Sequence, residues 1–416
     1  MSPTSPMRWL TFAAVSLIFF VISAGAFSSL GVVLPAMVGE MGWNWTQAGM
    51  GYTLLGLACG LASLMPAVLI RKLGVRGTMA AGTLAMVAGF GAMALAHTVA
   101  VYFAATVLIG LAFALVSTVP GTHVLTDLFR NRSTALGAYF TLGALGQVAG
   151  PLMYVGVHEF TGGWRDYWWV FVGLALVSGL LAIATTPGRR DETGHQAAAP
   201  EIESPGEVLE GLRDWSVRRA LATPQFYVIV AGYTTFLLIN TTAHGFAVQH
   251  LTERGVDPRA AATMLSLEGV FGAAMTALGG VIGERVRAKT LMIGSLVATT
   301  VGMAGLALAH DWNLMMVYSV GTGLGLGLSL LASTVLLLDY FGKKPNLELF
   351  SIMCLISTTA ALGPAFGGWA RDALGSFTDM FWLCVAVTST ILAATVFMRP
   401  PALAKTPPAA PQERAA

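Results

Sequence analysis

One carboxylate in this chain stands alone in an apolar run: Glu268 is the single charged side chain between residues 260 and 283. A charge in hydrocarbon is costly, so such a group persists only when paired, protonated or facing water, and it can load and release a proton. Glu268 lies about nine residues, or ~13 Å of helix, from the start of its run. Asn240 lies equally deep from the end of the preceding run, so the two can meet. Tyr233, Asn240 and His244 are spaced seven and four apart, which aligns them on one helical stripe. A histidine one turn beyond Asn240 can relay a proton to or from the acid. Tyr318, Thr322, Ser329 and Ser333 form a second stripe, and Ser28 and Ser29 precede Gly31 in a third run. These hydroxyls can line a polar path or simply bond the carbonyls of their own helices. His123 and Asp127, one turn apart, close a fourth.

Other chemistries are excluded by what is missing. No nucleophile and base stand at productive spacing, and Cys59, Cys354 and Cys384 lie in apolar stretches without a CxxC or Cys/His pattern. Neither an enzyme, a metal site nor a cofactor is expected. The run Gly321-x-Gly-x-Gly-x-Gly327 lacks the preceding strand of a phosphate loop and reads as a surface for close helix approach. A net charge of +2 with no basic patch gives no case for nucleic acid.

The elements that must position these residues follow from composition. Hydrophobic residues make up 55% of the chain and charged ones 11%, far below the roughly 25% of soluble domains. Twelve apolar runs occur near 9–37, 46–70, 77–96, 99–126, 134–157, 167–187, 224–249, 260–283, 290–309, 312–338, 349–370 and 380–398. Each is long enough to cross about 30 Å of hydrocarbon as a helix, and continuous runs of this length exclude a strand barrel. An all-α membrane protein with twelve transmembrane helices is predicted.

Assigning alternate loops to opposite sides collects 19 of the 23 Lys and Arg on one side, leaving Arg165, Arg254, Arg259 and Arg371 on the other. The positive-inside rule then puts both termini in the cytoplasm of a bacterial-type inner membrane. Ala24-Gly25-Ala26 resembles a signal-peptidase site, but apolar sequence continues to Val38 and a span is expected there.

The chain also repeats itself. Ala-Leu-Ala-His ends at His97 and at His310, and Gly150-Pro151 recurs as Gly363-Pro364, both at an offset of 213. The loop from Arg71 to Arg76 falls opposite Glu284 to Lys289, and Asp127 opposite Asp339. Two six-helix bundles are expected, 1–187 and 224–398, joined by a cytoplasmic linker, 188–223, and followed by a tail, 399–416. Val208, Leu212 and Trp215 would give that linker an amphipathic helix on the membrane surface.

Six plus six helices with a basic loop after the second and eighth resemble the major facilitator superfamily over nearly the whole chain. Gly74 and Arg76 fit its loop pattern, although Arg71 stands where an acid is usual; Gly280, Glu284 and Arg285 fit the second copy, with Arg287 in place of its glycine. Phe129 to Gly137 leading into Gly143, with Gly163-Trp-Arg165, is most similar to the monocarboxylate-transporter branch. That branch commonly carries an acid followed four residues later by Arg in the eighth span; here Glu268 is followed by Gly272. Gly137, Gly146 and Gly150-Pro151 also resemble the fifth-span pattern of proton-coupled drug antiporters, though Tyr154 and Val155 replace its closing glycines.

The resemblance implies a monomeric MFS fold whose first, fourth, seventh and tenth spans line a central cavity. Asn240, His244, Tyr233, Ser28, Tyr318 and Thr322 are then the expected substrate-binding residues. Glu268 and His244 would couple a proton, and Asp127, Arg71, Arg76, Glu284, Arg285 and Asp339 would serve the cytoplasmic gate. The expected activity is movement of a small organic solute, a monocarboxylate or similar metabolite, with a proton by alternating access. Uptake of an uncharged aromatic or heteroaromatic metabolite, or proton-coupled efflux of hydrophobic or cationic compounds, are the alternatives.

Overall fold

Long apolar runs have no water to satisfy their backbone in a bilayer, so they must close their own hydrogen bonds as helices. The computed structural model describes residues 5–129, 132–186, 215–283, 285–342 and 345–401, and among these eleven helices are long and apolar enough to span a membrane. In chain order they are α1 (Pro6–Met41), α2 (Trp45–Ala94), α3 (Val99–Leu128), α4 (Thr134–Thr161), α5 (Trp164–Thr185), α6 (Pro224–Glu253), α7 (Pro258–Gly279), α8 (Ala288–Leu308), α9 (Trp312–Phe341), α10 (Glu348–Leu374) and α11 (Thr378–Phe397). Asn44, Thr98, Thr223 and Asp311 start four of them by accepting the amide three residues on.

The sequence predicts twelve spans where the structure has eleven continuous helices, because the second and third runs join in α2. At 50 residues, α2 would be about 75 Å long, more than twice the hydrocarbon thickness. It is interrupted at Gly74, whose φ of 74° and ψ of 170° are open essentially to glycine alone. Both limbs then pack along α3, so the chain doubles back there.

Three other helices are broken inside their spans. A π-turn occupies Ala24–Ser28 of α1, Ser117 interrupts α3 just before Pro120, and a 3-10 turn, Thr358–Leu362, precedes Gly363-Pro364 in α10. Carbonyls at these breaks keep backbone partners: that of Ser117 accepts from Gly121 N–H at 3.1 Å and also from the Tyr139 hydroxyl at 2.9 Å, and that of Ala360, which Pro364 cannot serve, accepts from Gly363 N–H.

The duplication is visible in the packing. A methyl on Gly150 of α4 would overlap the Ala24 carbonyl and Ser29 of α1; one on Gly363 of α10 would overlap Thr242 and the Leu238 carbonyl of α6. Ser29 and Thr242 are themselves 213 apart. In α9, Gly321 and Gly325 face α8 while Gly323 and Gly327 face α7. The Gly-x-Gly run is thus two interleaved small-residue stripes, one for each neighbour.

Helices α1–α5 and α6–α11 form two halves that meet at one end. One buried core runs through the first half and into the second through Phe246, Ala247, Leu251, Phe377 and Phe381. A separate core, with Phe226, Leu291, Leu336 and Phe341, fills the other end of the second half. The halves touch along α2 and α10 from Trp45 and Gly368 down to Gly60 and Thr358, and along α4 and α7 from Glu159 and Arg259 down to Val148 and Gly269. Among the described residues, the contacts between the halves gather at the end carrying Trp45 rather than at the end carrying Arg71 and Arg285.

Candidate functional site

Glu268 adjoins Gly269, whose approach to Val148 brings α7 against α4, and its side chain is fully buried. It is held there by the Gly323 stripe: a Cβ on Gly323 would come 2.6 Å from the Glu268 carbonyl oxygen, so only glycine lets α9 approach α7 this closely. That approach brings Tyr318, one turn earlier on α9, to the carboxylate. The Tyr318 hydroxyl donates to Oε2 at 2.7 Å, and the Asn240 amide of α6 donates to Oε1 at 3.1 Å. His244 Nδ1 lies 3.0 Å from the Asn240 carbonyl and 3.9 Å from Oε1. Three helices therefore converge on one acid, and among the described residues no Lys or Arg pairs with it.

The other half contributes an aromatic wall. Tyr52 of α2 is buried within electrostatic reach of Glu268 and Tyr318, and its hydroxyl donates to the Phe27 carbonyl in the π-turn of α1 at 2.6 Å. A Cβ on Gly245 would lie 3.7 Å from the Tyr52 ring, which places this tyrosine against α6 beside His244. π-turns often mark functional sites because they redirect backbone groups.

Of the residues singled out from sequence, Glu268, Asn240, His244 and Tyr318 come together. Thr322 is buried and donates to the Tyr318 carbonyl at 2.7 Å, a bond within its own helix. Ser28 is buried with its hydroxyl unpartnered. Tyr233 shares the stripe of Asn240 but lies seven residues away, about 10 Å along the helix, packed beside the second core within reach of Cys354. The gate residues Arg71, Arg76, Asp127, Arg285 and Asp339 are all exposed, at the end opposite Trp45. Glu284, Arg130 and most of the 207–215 segment lie outside the described residues. Tyr52 is the residue that sequence reasoning missed; its place in α2 carried no stripe or charge to flag it.

At the Trp45 end the four minority arginines are all engaged. Arg165 pairs with Glu40 and donates to the Ala96 carbonyl at 3.2 Å. Arg254 donates to the Ala309 carbonyl and to Thr378, each at 3.1 Å, Arg371 pairs with Glu253 at 2.9 Å, and Arg259 with Glu159 of the other half at 3.1 Å.

Two stretches of the chain, 16–251 and 231–416, each match the sequence profile of the Major Facilitator Superfamily. The chain belongs to this superfamily. Its fold is similar to that of the nucleoside transporter NupG, with a TM-score of 0.74, 13% identity and 94% of this chain aligned to 99% of that one. It is also similar to a bacterial homologue of the human lysosomal transporter Spinster, solved inward-facing and unoccupied, with a TM-score of 0.66, 18% identity and 95% of each chain covered. No curated protein matches the sequence. Membership makes this a multi-pass transporter rather than an enzyme.

For a superfamily member built by duplication, the polar cluster is one-sided. At the offset of 213, the counterparts of Asn240, His244, Glu268 and Tyr318 are Phe27, Gly31, Leu55 and Ala105, of which Leu55 and Ala105 are fully buried. The scaffold repeats, and these four polar residues do not.

Proposed function

We propose that this protein is a proton-coupled secondary transporter of a small organic solute, working by alternating access around Glu268. One observation supports it most: a fully buried carboxylate, bonded by Asn240 and Tyr318, with no Lys or Arg partner among the described residues, beside the contact of α7 with α4 of the other half. Such a group is stable in either protonation state only if its surroundings change during the cycle, which rocking of the halves supplies. His244, behind Asn240, is the relay toward the Trp45 end.

A bare carboxylate repels an anion, so the solute is taken as an uncharged species. A monocarboxylate fits as the neutral acid or in the company of the coupling proton, with Asn240, His244, Tyr318 and the free Ser28 hydroxyl as its polar contacts. The aromatic wall of Tyr52 and Phe27 favours a second reading, an uncharged heteroaromatic metabolite stacked against those rings. Counting α2 as two crossings gives twelve spans in two bundles, residues 1–187 and 224–398, with both termini cytoplasmic. The end carrying Trp45, where the described contacts between the halves gather, is then the periplasmic one, which fits an inward-facing arrangement.

Uptake of radiolabelled monocarboxylates, uncharged heteroaromatics and hydrophobic cations into right-side-out and inside-out vesicles tests this reading. Accumulation of an acid or a neutral heteroaromatic driven by a pH gradient is expected. Movement of cations alone, outward, would replace it with efflux.

A further inference from the structure

We infer that the Trp45 end is held by two acid latches at duplicated positions, and that the one on Asp372 is the stronger because it completes the start of a helix in the opposite half. This rests on the rocking motion proposed above.

The N-terminus of α2 has four amides without an intrahelical acceptor. Asn44 and Gln47 satisfy two reciprocally, Asn44 N–H donating to Gln47 Oε1 at 3.2 Å and Gln47 N–H to Asn44 Oδ1 at 2.8 Å. The other two point across the boundary between the halves. Trp45 N–H donates to Asp372 Oδ1 at 3.1 Å and Thr46 N–H to Oδ2 at 2.8 Å, and the Thr46 hydroxyl adds a third bond at 2.6 Å. Asp372 lies in the last turn of α10, the span carrying Gly363-Pro364, so the helix start in one half is finished by a carboxylate from the other. Trp45 is clamped beside this bond by edge contacts with Phe246 and Phe377, at 6.0 and 5.4 Å between ring centres.

The repeat places Glu159 opposite Asp372, and Pro258-Arg259 opposite Trp45-Thr46. Here the helix start offers nothing to a second acid. Pro258 has no N–H, and Asp257 of the same half already accepts from the amides of Arg259 and Ala260, at 2.8 and 3.3 Å. Glu159 therefore takes the Arg259 side chain at 3.1 Å. That pair is exposed on both sides and rims a cavity of about 450 Å³ lined by Val32, Tyr154 and Val248. Asp372 is exposed as well, so the latches differ in bonding: three bonds at Asp372, two of them from helix-start amides, against one ion pair at Glu159. Three charge-assisted bonds that complete a helix start outweigh a single ion pair between flexible side chains, so the latches are unequal.

The test is a distance distribution between spin labels on cysteines replacing Thr161 and His310, in a background with Cys59, Cys354 and Cys384 substituted. The protein is reconstituted in lipid, with Lys72 and Arg285 labelled separately to follow the other end. Asp372→Asn and Thr46→Val are expected to raise the population open at the Trp45 end, about fivefold for the former, with closure at the Lys72 end in step. Glu159→Gln should raise it about twofold. Thr46→Val removes one donor only and serves should Asp372 variants fold poorly. An unchanged distribution in Asp372→Asn and Thr46→Val, while wild type does open at this end, overturns the latch alone. Equal effects at Glu159 and Asp372 overturn the inequality. A wild type that never opens at this end under any gradient overturns both the latch and the rocking motion beneath it.

Discussion

Replacing Glu268 with Gln removes one charge and keeps the shape. Gln offers one oxygen to accept from Asn240, where Oε1 now accepts at 3.1 Å, and turns its NH2 toward the Tyr318 hydroxyl, which now donates to Oε2 at 2.7 Å. Two charge-assisted bonds are exchanged for neutral ones, a loss of about 2 kcal/mol offset by no longer burying a charge, so the variant should fold and insert. Its transport should change in kind. Glu268 is the one fully buried acid among the described residues, which sets the coupling at one proton per solute. One pH unit then supplies about 1.4 kcal/mol, enough for roughly tenfold accumulation. In proteoliposomes with the membrane potential clamped at zero, wild type should concentrate solute about tenfold per imposed pH unit. Glu268→Gln should reach equal concentrations inside and out. Exchange of internal for external solute needs no deprotonation and should stay within about threefold of wild type. Tenfold accumulation by Glu268→Gln would refute the coupling role and move it to His244 or His123; loss of exchange together with accumulation would indicate a packing role.

Asn240→Ala should raise the KM for uptake several-fold with normal membrane insertion, and wild-type kinetics would mean that Asn240 only holds the carboxylate. Tyr318→Phe strips Oε2 of its donor, which should destabilise the purified protein by about 1–3 kcal/mol and lower its Tm; an unchanged Tm would mean that another group serves that oxygen. A reporter fused after Glu192 should be cytoplasmic and one after Thr161 periplasmic, and the reverse pattern would invert the orientation.

Much of the site could be read from the sequence because hydrocarbon makes exceptions conspicuous. Equal depth in adjacent runs pairs Glu268 with Asn240, and a spacing of four adds His244; the structure brings all three together. Tyr318 was legible as a polar stripe but not as the second donor to Glu268, since that depends on how closely α9 approaches α7, which Gly323 sets. Tyr233 shows the limit of a stripe: seven residues return to the same face about 10 Å away. Tyr52 was invisible, because its partner is a carbonyl in a π-turn that no pattern in α1 announces. The twelve runs were clear, yet the second and third merge into α2, where a single glycine marks the reversal. Pairing across the Trp45 end escaped notice although the offset of 213 links Glu159 with Asp372, since what those acids bind is a helix start in one case and a side chain in the other.

Coupling itself is tested most directly by following protons and solute together. Purified wild-type protein in liposomes, with dilute buffer outside and a pH indicator, is given a solute that it transports, with no pH gradient imposed. Movement of one proton with each solute predicts an immediate alkalinisation of the medium during entry, equal in moles to the solute taken up. Solute entry with no change in external pH would contradict proton-coupled transport.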